Sequence, residues 1–389
     1  MKISTGQWVE ADEFFGREME LGAMAEVMQG RRASIFIPGP RRIGKTSLVK
    51  EFMRRNHNDY RFVYFDLESR NSVLELCKDL TKAVEKNYPE FIKQTAKLKA
   101  LWNTVSEMIP KLKVINVEVQ TGKISSDVDV KDFMDNMELL FEELNQLDFV
   151  FAFDEFSDFL WNLKKTSIDE VKLFLKWLRT LRQESKIRLI ITGSINVLST
   201  VDELNVADLI NDLTDIEIFP LTKDEVKSLL IKLTEPVNIT FTEDGINAAV
   251  EKLSDGIPFF VQLFASGLRT YKDKKNAKAY NAEEINAIYF KITGKQHKEF
   301  IDLHSRLKDY LSDSEYQGAR TILAHLASDP MTFDDLMPYV KNMVSDKEKL
   351  HRLLKRLTDE NYITKTDKYY RFVSPMIADW WKNSYDWER

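Results

Sequence analysis

The residues with the clearest chemical potential lie in one short loop. In chain order they are Gly39, Pro40, Arg41, Arg42, Ile43, Gly44, Lys45, Thr46 and Ser47. The first eight follow the pattern G-x-x-x-x-G-K-[ST], in which glycines let successive backbone N–H groups curl around a phosphate. The lysine of such a loop reaches the β- and γ-phosphates of a nucleotide, and the threonine hydroxyl coordinates Mg²⁺. The spacing therefore predicts a site for a nucleoside triphosphate and Mg²⁺; the alternative is a plain glycine-containing turn.

The segments on either side of the loop favour the nucleotide site. Residues 33–37 form a short apolar run typical of a buried strand, and residues 47–53 place apolar side chains at helical spacing. A strand, the loop and a helix in this order are the setting that the phosphate-binding pattern requires. The N-terminus of the helix would add its partial positive charge to the site.

Two carboxylates follow a second buried strand. Residues 149–153 are apolar in sequence, and Asp154 and Glu155 come directly after them. Open α/β sheets bind their ligands at the carboxyl ends of the strands. Asp154 is therefore expected to hold Mg²⁺ through water, and Glu155 to orient and polarise an attacking water. The alternative is a strand end followed by an acidic helix cap.

A third strand, predicted over 187–192, ends in small polar residues. Ser194 is the first candidate, and Thr192 the second, for a side chain that contacts the γ-phosphate or the lytic water. That role requires this strand to lie between the other two, as it does in ATPases with such an acidic pair. A plain Thr-Gly-Ser turn explains the same residues.

The composition of the chain limits the remaining classes. A length of 389 residues predicts two or three domains, and a net charge of −6 gives no overall attraction to nucleic acid or acidic membranes. The one cysteine, Cys77, excludes an internal disulfide and a cysteine-based zinc site. With no apolar segment of membrane-spanning length, the sequence predicts a cytoplasmic protein with no membrane partner.

Several further motifs resemble those of the archaeal-type ATPases, which are AAA+/STAND-related P-loop NTPases. They are Phe15-Gly16-Arg17-Glu18 followed by Glu20 and Leu21, the GPRRIGKTSL loop, FDEF at 153–156, TGS at 192–194, IFPLTKDEV at 218–226, DGIPFFVQLF at 255–264 and YRFVSPMIADWW at 370–381. The individual C-terminal motifs are loose, but their order is specific and the resemblance spans nearly the whole chain.

The resemblance implies an α/β P-loop NTPase core with a five-stranded parallel sheet, a helical lid and a C-terminal winged-helix domain. The implied domains are residues 1–220 with an insertion at about 87–135, the lid at 221–313 and the winged helix at 314–389. The strands are expected at 33–37, 61–66, 148–153, 187–192 and 214–219. The resemblance also places Phe15, Gly16 and Arg17 near the adenine of ATP, although Arg17 reads equally as a surface residue.

The insertion and the winged helix are the candidate partner surfaces. Within 87–135 the pattern predicts an amphipathic helix, a break at Pro110 and a hairpin that turns at Thr121-Gly122. This segment either binds a protein partner or is simply packed. In the winged helix, Lys347, Arg352 and Arg356 would face DNA. Residues 314–389 contain equal numbers of basic and acidic residues, so solvated charges explain the helix equally well.

One departure from the resemblance bears on rate. Many relatives carry an arginine shortly before the fifth strand, but residues 207–213 read ADLINDL and contain none. The sequence therefore favours a slow Mg-dependent ATPase that acts as a nucleotide-dependent switch for a protein partner. The first alternative is a DNA-binding AAA+-type ATPase resembling origin-recognition or loader proteins. The second is an interaction protein that binds ATP without hydrolysing it.

Overall fold

The computed structural model describes the chain except residues 94, 122–129, 185, 195, 272–278, 295–297, 345 and 386–389. The chain divides into two compact units. We call Arg17–Gly39 together with Leu48–Ile218 the sheet unit. We call Met1–Gly16, Pro40–Ser47 and Phe219–Arg389 together the C-terminal unit.

A parallel sheet forms the centre of the sheet unit. Its strands are β1 (Ser34–Pro38), β2 (Arg61–Asp66), β3 (Phe149–Asp154), β4 (Arg188–Gly193) and β5 (Thr214–Asp215). The spatial order is β2-β3-β4-β1-β5, and each neighbouring pair is parallel. Every residue of β3 and of β4 is buried, as expected for strands that are covered on both faces. The predicted sheet, with β4 between β1 and β3, is confirmed; β5 is shorter than the predicted 214–219.

Helices connect these strands. They are α1 (Glu18–Met28), α2 (Lys45–Arg55), α3 (Val73–Asn87), α4 (Pro89–Ile92), α5 (Ala96–Thr121), α6 (Val130–Gln146), α7 (Phe156–Thr166), α8 (Ile168–Gln183) and α9 (Asn196–Glu203). The hydroxyls of Ser72 and Ser167 cap the first turns of α3 and α8. Aromatic side chains fill the core between helices and sheet: Phe141 packs edge-on against Phe151, with ring centroids 5.1 Å apart.

The prediction of a break at Pro110 and a hairpin after it is wrong for the described backbone. α5 continues through Pro110 to Thr121, and residues 122–129 lie outside the described residues. Up to Ile109 the helix buries Leu98, Trp102 and Val105, a stripe at helical spacing. The valine alternation at 114–119 is short, and so short an apolar run does not separate strand from helix.

The C-terminal unit begins with a helical region. Its elements are α10 (Lys223–Thr234), β6 (Thr240–Phe241), α11 (Glu243–Lys252), α12 (Pro258–Tyr271), β7 (Ala279–Tyr280), α13 (Ala282–Thr293) and α14 (Lys298–Tyr310). Reciprocal capping boxes, Thr222 with Glu225 and Asn281 with Glu284, define the starts of α10 and α13. The short parallel pair of β6 and β7 was not predicted from the sequence.

The last part of this unit covers the residues for which the sequence predicts a winged helix, and its elements are helices and short strands. They are α15 (Asp313–Leu326), β8 (Met331–Thr332), α16 (Phe333–Val340), α17 (Lys347–Asp359), β9 (Ile363–Thr366), β10 (Tyr369–Phe372) and α18 (Pro375–Tyr385). We call these elements the C-terminal module. β9 and β10 pair antiparallel around a turn at Asp367, which has a positive φ of 55°. The leucine stripe of α17 is buried, so its charged face points outward.

The helical region and the C-terminal module share a polar and aromatic contact. The Tyr289 hydroxyl donates to Asp379 at 2.9 Å, and the rings of Phe260, Phe300 and Trp380 stack in series. A backbone hydrogen bond of 2.8 Å from the Leu221 amide to the Gly256 carbonyl holds the start of α10 against the turn before α12. α13 therefore contacts the module directly, and α12 contacts it through Phe300.

Gly256 should not tolerate a side chain. Its φ is +63°, and an added Cβ would lie 2.2 Å from the Leu221 carbonyl oxygen. We expect Gly256→Ala to lower the free energy of unfolding by roughly 2 kcal/mol or more, through left-handed strain and overpacking. Urea denaturation followed by circular dichroism measures this change.

The matched control is Gly22→Ala in α1, where an added Cβ meets nothing within 4 Å. Alanine gains about 0.5–1 kcal/mol over glycine in a helix interior. Equal stability of the two variants would contradict the close approach at Gly256.

Candidate nucleotide site

The phosphate-binding loop lies between the end of β1 and the start of α2. Gly44 has a φ of +105° with nothing within 4 Å of an added Cβ, so its conformation, and not a lack of space, requires glycine. Lys45 is 5% exposed, and its ammonium donates to the Pro40 carbonyl oxygen at 3.0 Å. The lysine is therefore folded back over its own loop. The hydroxyl oxygen of Ser47 accepts a hydrogen bond of 3.1 Å from the Val9 amide.

The two arginines of the loop contact the rest of the C-terminal unit. Nε of Arg41 lies 3.8 Å from a carboxylate oxygen of Glu360, at the end of α17, and both side chains are little exposed, at 13% and 12%. The guanidinium of Arg42 lies 4.2 Å from the ring centroid of Phe259 in α12. Arg42 has a left-handed φ of 68°. The loop is thus joined to both the helical region and the C-terminal module.

The predicted adenine-side residues occupy a turn before α1. In the C-terminal unit, the Lys232 ammonium lies 4.8 Å from the ring centroid of Phe15, and Gly16 has a φ of +70°. In the sheet unit, Arg17 precedes α1 with a left-handed φ of 70° and donates to Glu20 at 3.0 Å. The local geometry of Arg17 is thus that of a residue paired within its own helix.

Asp154 lies at the end of β3 and is 2% exposed. Its Oδ1 accepts hydrogen bonds from the Thr192 hydroxyl and from the Glu155 amide, the second at 3.1 Å. Its Oδ2 accepts a hydrogen bond of 2.6 Å from the Tyr64 hydroxyl. Burial of a charge is costly unless hydrogen bonds compensate it, and these donors supply that compensation.

Glu155 turns the chain away from the strand. Its backbone is left-handed, with φ 52° and ψ 42°, and it precedes the first turn of α7. Such a conformation is rare for a residue other than glycine and costs of order 1–3 kcal/mol, which is typical of functional positions. The carboxylate predicted to polarise water therefore follows the predicted metal carboxylate through a sharp turn.

The two candidate hydroxyls at the end of β4 differ in their hydrogen-bond partners. Thr192 is 1% exposed, and its hydroxyl contacts both acids: it donates to Asp154 and accepts from the Glu155 amide at 3.3 Å. Ser194 is also buried, but its hydroxyl has no hydrogen-bond partner among the described residues. The Ser194 amide donates to the Ser157 hydroxyl at 3.1 Å. Within the sheet unit it is therefore Thr192 that joins the acidic pair.

Tyr64 was not predicted from the sequence as a site residue. It lies on β2, which pairs with β3 in the register Tyr64 to Ala152. Burial, followed by the charge of Asp154, raises the pKa of the Tyr64 phenol above its usual range, so the phenol remains a proton donor. A sequence signal for Tyr64 was present. The carboxyl ends of neighbouring parallel strands meet at one edge of the sheet, so polar side chains of β2 are candidate site residues there.

The segment without the expected arginine carries paired acids instead. Residues Ala207–Ile210 form a short 3-10 helix. Asp208 accepts from Arg179 at 2.9 Å, and Asp212 accepts from the buried Arg182 at 2.7 Å; both arginines belong to α8. The resemblance led us to expect an arginine in this segment. The segment instead contains two aspartates, each paired with an arginine of α8.

The basic residues predicted to meet DNA are partly neutralised. Arg352 pairs with Glu348 and Arg356 with Glu315, each at 3.2 Å, while Lys347 is exposed at the start of α17. Among the described residues, no cluster of three or more His, Cys, Asp or Glu side chains could hold a metal ion, and no helix combines the length and apolarity needed to cross a membrane.

The two hydroxyls at the end of β4 should differ in their effect on stability. Thr192→Val removes one donor to the buried Asp154 carboxylate and one acceptor of the Glu155 amide, which costs about 1–3 kcal/mol in free energy of unfolding. Ser194→Ala removes a hydroxyl with no partner among the described residues, so we expect a change within about 0.5 kcal/mol. Urea denaturation compares the variants, and Thr192→Ser is the control that keeps the hydroxyl. A larger loss for Ser194→Ala than for Thr192→Val would contradict this assignment.

Comparison with known proteins agrees with this geometry. A family described as an ATPase domain predominantly from Archaea matches residues 14–264, more than half of the chain. A Walker-type ATPase of Pyrococcus abyssi has a similar structure, with a TM-score of 0.66, 19% identity and coverage of 98% of this chain and 100% of that one. The ORC2 protein of Aeropyrum pernix, in ADPNP–ADP complexes, gives a TM-score of 0.57 and 12% identity, with coverage of 96% and 95%. No curated protein sequence matches the chain. At these identities the two structures share its fold, and the match of the family over residues 14–264 shows that the chain belongs to this family of archaeal ATPase domains.

Proposed function

We propose that the chain is a slow Mg-dependent ATPase whose nucleotide state controls the C-terminal module and, through it, a protein partner. In this proposal residues 39–47 bind ATP, with Lys45 at the β- and γ-phosphates, and Phe15, Gly16 and Arg17 lie on the adenine side. Glu155 orients and polarises the attacking water. The Aeropyrum pernix ORC2 protein, which has a similar fold, was obtained with ADPNP and ADP, and this supports a nucleotide ligand.

The proposed metal ligands suit Mg²⁺. Thr46 supplies a hydroxyl and Asp154 a carboxylate, and Mg²⁺ prefers such oxygen ligands while retaining several waters. The hydrogen bonds that Asp154 receives orient the buried carboxylate. When bound, Mg²⁺ would neutralise charge on the phosphate oxygens. Ser194 stays the first proposed contact to the γ-phosphate or lytic water, because its buried hydroxyl has no hydrogen-bond partner among the described residues, and Thr192 stays the second.

One observation carries the switch: two loop residues contact distant elements of the chain. Arg41 pairs with Glu360 at the end of α17, and Arg42 lies on Phe259 of α12. A phosphate bound by the loop amides must fix the loop backbone, and the side chains of Arg41 and Arg42 start from that same backbone. Nucleotide binding would therefore shift the contacts that join the loop to the module.

The slow rate follows from the missing charge. An arginine that stabilises the transition state is worth about 10³–10⁵ in rate, and residues 207–213 supply paired aspartates instead. A protein partner would then accelerate hydrolysis by supplying the cation. A cytoplasmic location belongs to this proposal, since the one cysteine, Cys77, is buried and free.

A DNA-binding ATPase is the second candidate. The order of elements in the C-terminal module and the exposed Lys347 on α17 favour it. The ion pairs of Arg352 and Arg356 oppose it, because those cations already have partners. Stimulation of hydrolysis by duplex DNA separates the two candidates.

Glu155→Gln tests the chemistry. We expect wild-type MgATP turnover on the order of 10⁻⁴–10⁻³ s⁻¹, the scale of a P-loop NTPase without an arginine finger. The amide cannot polarise water, so turnover should fall by about 10²-fold or more while ATP binding remains. Phosphate release is measured with and without duplex DNA.

The control for this assay is Glu90→Gln, the same change at an exposed carboxylate of α4. Turnover that DNA does not change supports the switch, whereas turnover stimulated by DNA supports the second candidate. Tight ATP binding with no hydrolysis in the wild type would replace both with the non-hydrolysing interaction protein.

Arg41→Ala and Glu360→Gln test the switch. In the wild type we expect ATP to change amide hydrogen exchange at the end of α17, because the loop holds Glu360 there. In the absence of nucleotide, either substitution should raise amide hydrogen exchange at the end of α17. The change in exchange that ATP causes there should fall by more than half. Glu348→Gln is the control on the same helix, since Glu348 pairs with Arg352 and not with the loop. No response of α17 to ATP in the wild type would remove the switch and leave the ATPase.

A further inference from the structure

The carboxylate of Asp154 receives donors on both of its oxygens. Thr192 and the Glu155 amide donate to Oδ1, and Tyr64 donates to Oδ2. A carboxylate accepts hydrogen bonds along defined lone-pair directions, and these three donors engage both oxygens. The three donors therefore fix the direction of the Asp154 carboxylate.

Tyr64 is the donor that β2 supplies to Asp154, and it alone among the three donors binds Oδ2. Its 2.6 Å bond to Asp154 has the length usual for a hydroxyl that donates to a carboxylate, a class of charge-assisted hydrogen bond stronger than neutral ones. The ring of Tyr64 is held in turn, because the Lys50 ammonium lies 3.0 Å from its centroid. A cation over the face of an aromatic ring is attracted by the ring quadrupole, so Lys50 helps to fix the position of the Tyr64 ring.

The contacts join three elements of the sheet unit. Lys50 belongs to α2, Tyr64 to β2 and Asp154 to β3. They therefore link the helix that follows the phosphate-binding loop to the carboxylate that the proposed function assigns to Mg²⁺. Hydrogen-bond partners of such carboxylates orient them, and their loss typically costs 10–100-fold in metal affinity or activity.

We propose that Tyr64 is a positioning residue for the metal: its hydroxyl fixes Asp154 in the orientation that accepts a hydrogen bond from a Mg²⁺-bound water. The inference rests on the proposed function, because it takes Asp154 as the metal carboxylate. The proposal adds that a side chain of β2 raises the affinity for Mg²⁺ and leaves the affinity for nucleotide without metal unchanged.

The test is the metal dependence of nucleotide binding. Fluorescent ADP is titrated into the full chain in excess Mg²⁺ and again in EDTA, and Mg²⁺ is titrated at fixed nucleotide. For Tyr64→Phe we expect the Mg²⁺ concentration at half-effect to rise about tenfold, with the affinity in EDTA within twofold of the wild type. Lys50→Met keeps the Tyr64 hydroxyl. It should raise the Mg²⁺ concentration at half-effect by about twofold.

The matched control is Tyr60→Phe, which removes a hydroxyl that donates to the Met28 carbonyl oxygen instead of to Asp154. A metal dependence in Tyr64→Phe equal to that of Tyr60→Phe would overturn the role of Tyr64 and leave the proposed function intact. Wild-type binding of nucleotide without any Mg²⁺ dependence would overturn both. Unchanged affinity in EDTA also shows that the variant is folded.

Discussion

The arrangement of the acidic pair depends on one constraint, which is that a buried carboxylate must be surrounded by hydrogen-bond donors. Asp154 is 2% exposed, and an ionised group at such a position is costly without compensation. The sheet order solves this problem: β3 lies between β2 and β4, so Tyr64 and Thr192 approach Asp154 from opposite sides. The left-handed turn at Glu155 adds a backbone donor. The same donors that satisfy the charge also fix its direction, so one arrangement provides both stability and chemical orientation.

Much of the sheet unit could be predicted because its signals are local. Buried strands appear as apolar runs, and the phosphate-binding pattern fixes the type of the first loop. The strand order came from the resemblance and not from the residues, since no local pattern specifies which strands are neighbours. For the same reason Tyr64 was missed: its polar side chain is visible in the sequence of β2, but no local pattern shows that β2 pairs with β3 beside Asp154.

The different hydrogen-bond partners of Ser194 and Thr192 show the same limit at smaller scale. Both hydroxyls follow the same apolar run, and the sequence gives no register for the strand end. In the structure Thr192 still belongs to β4 and contacts the acids, whereas Ser194 lies after the strand. The failed hairpin at 114–119 has a related cause, because a short apolar alternation yields to the helix that already buries Trp102 and Val105. Propensity over a few residues is weaker than the burial of a whole helical stripe.

The phosphate-binding pattern also leaves room for a second role. It fixes two glycines, a lysine and a hydroxyl residue, but not the positions between the glycines. In this chain two of those positions are arginines, and each contacts a different part of the C-terminal unit. Arg42 adopts a left-handed conformation that costs an ordinary residue roughly 1–2 kcal/mol, and in that conformation its guanidinium contacts Phe259. A loop held in this way has two sets of partners that share one backbone: phosphate oxygens through its amides, and Glu360 and Phe259 through its side chains. Any difference between the backbone geometries that the two sets favour becomes a coupling free energy between nucleotide and module, and that coupling acts equally in both directions.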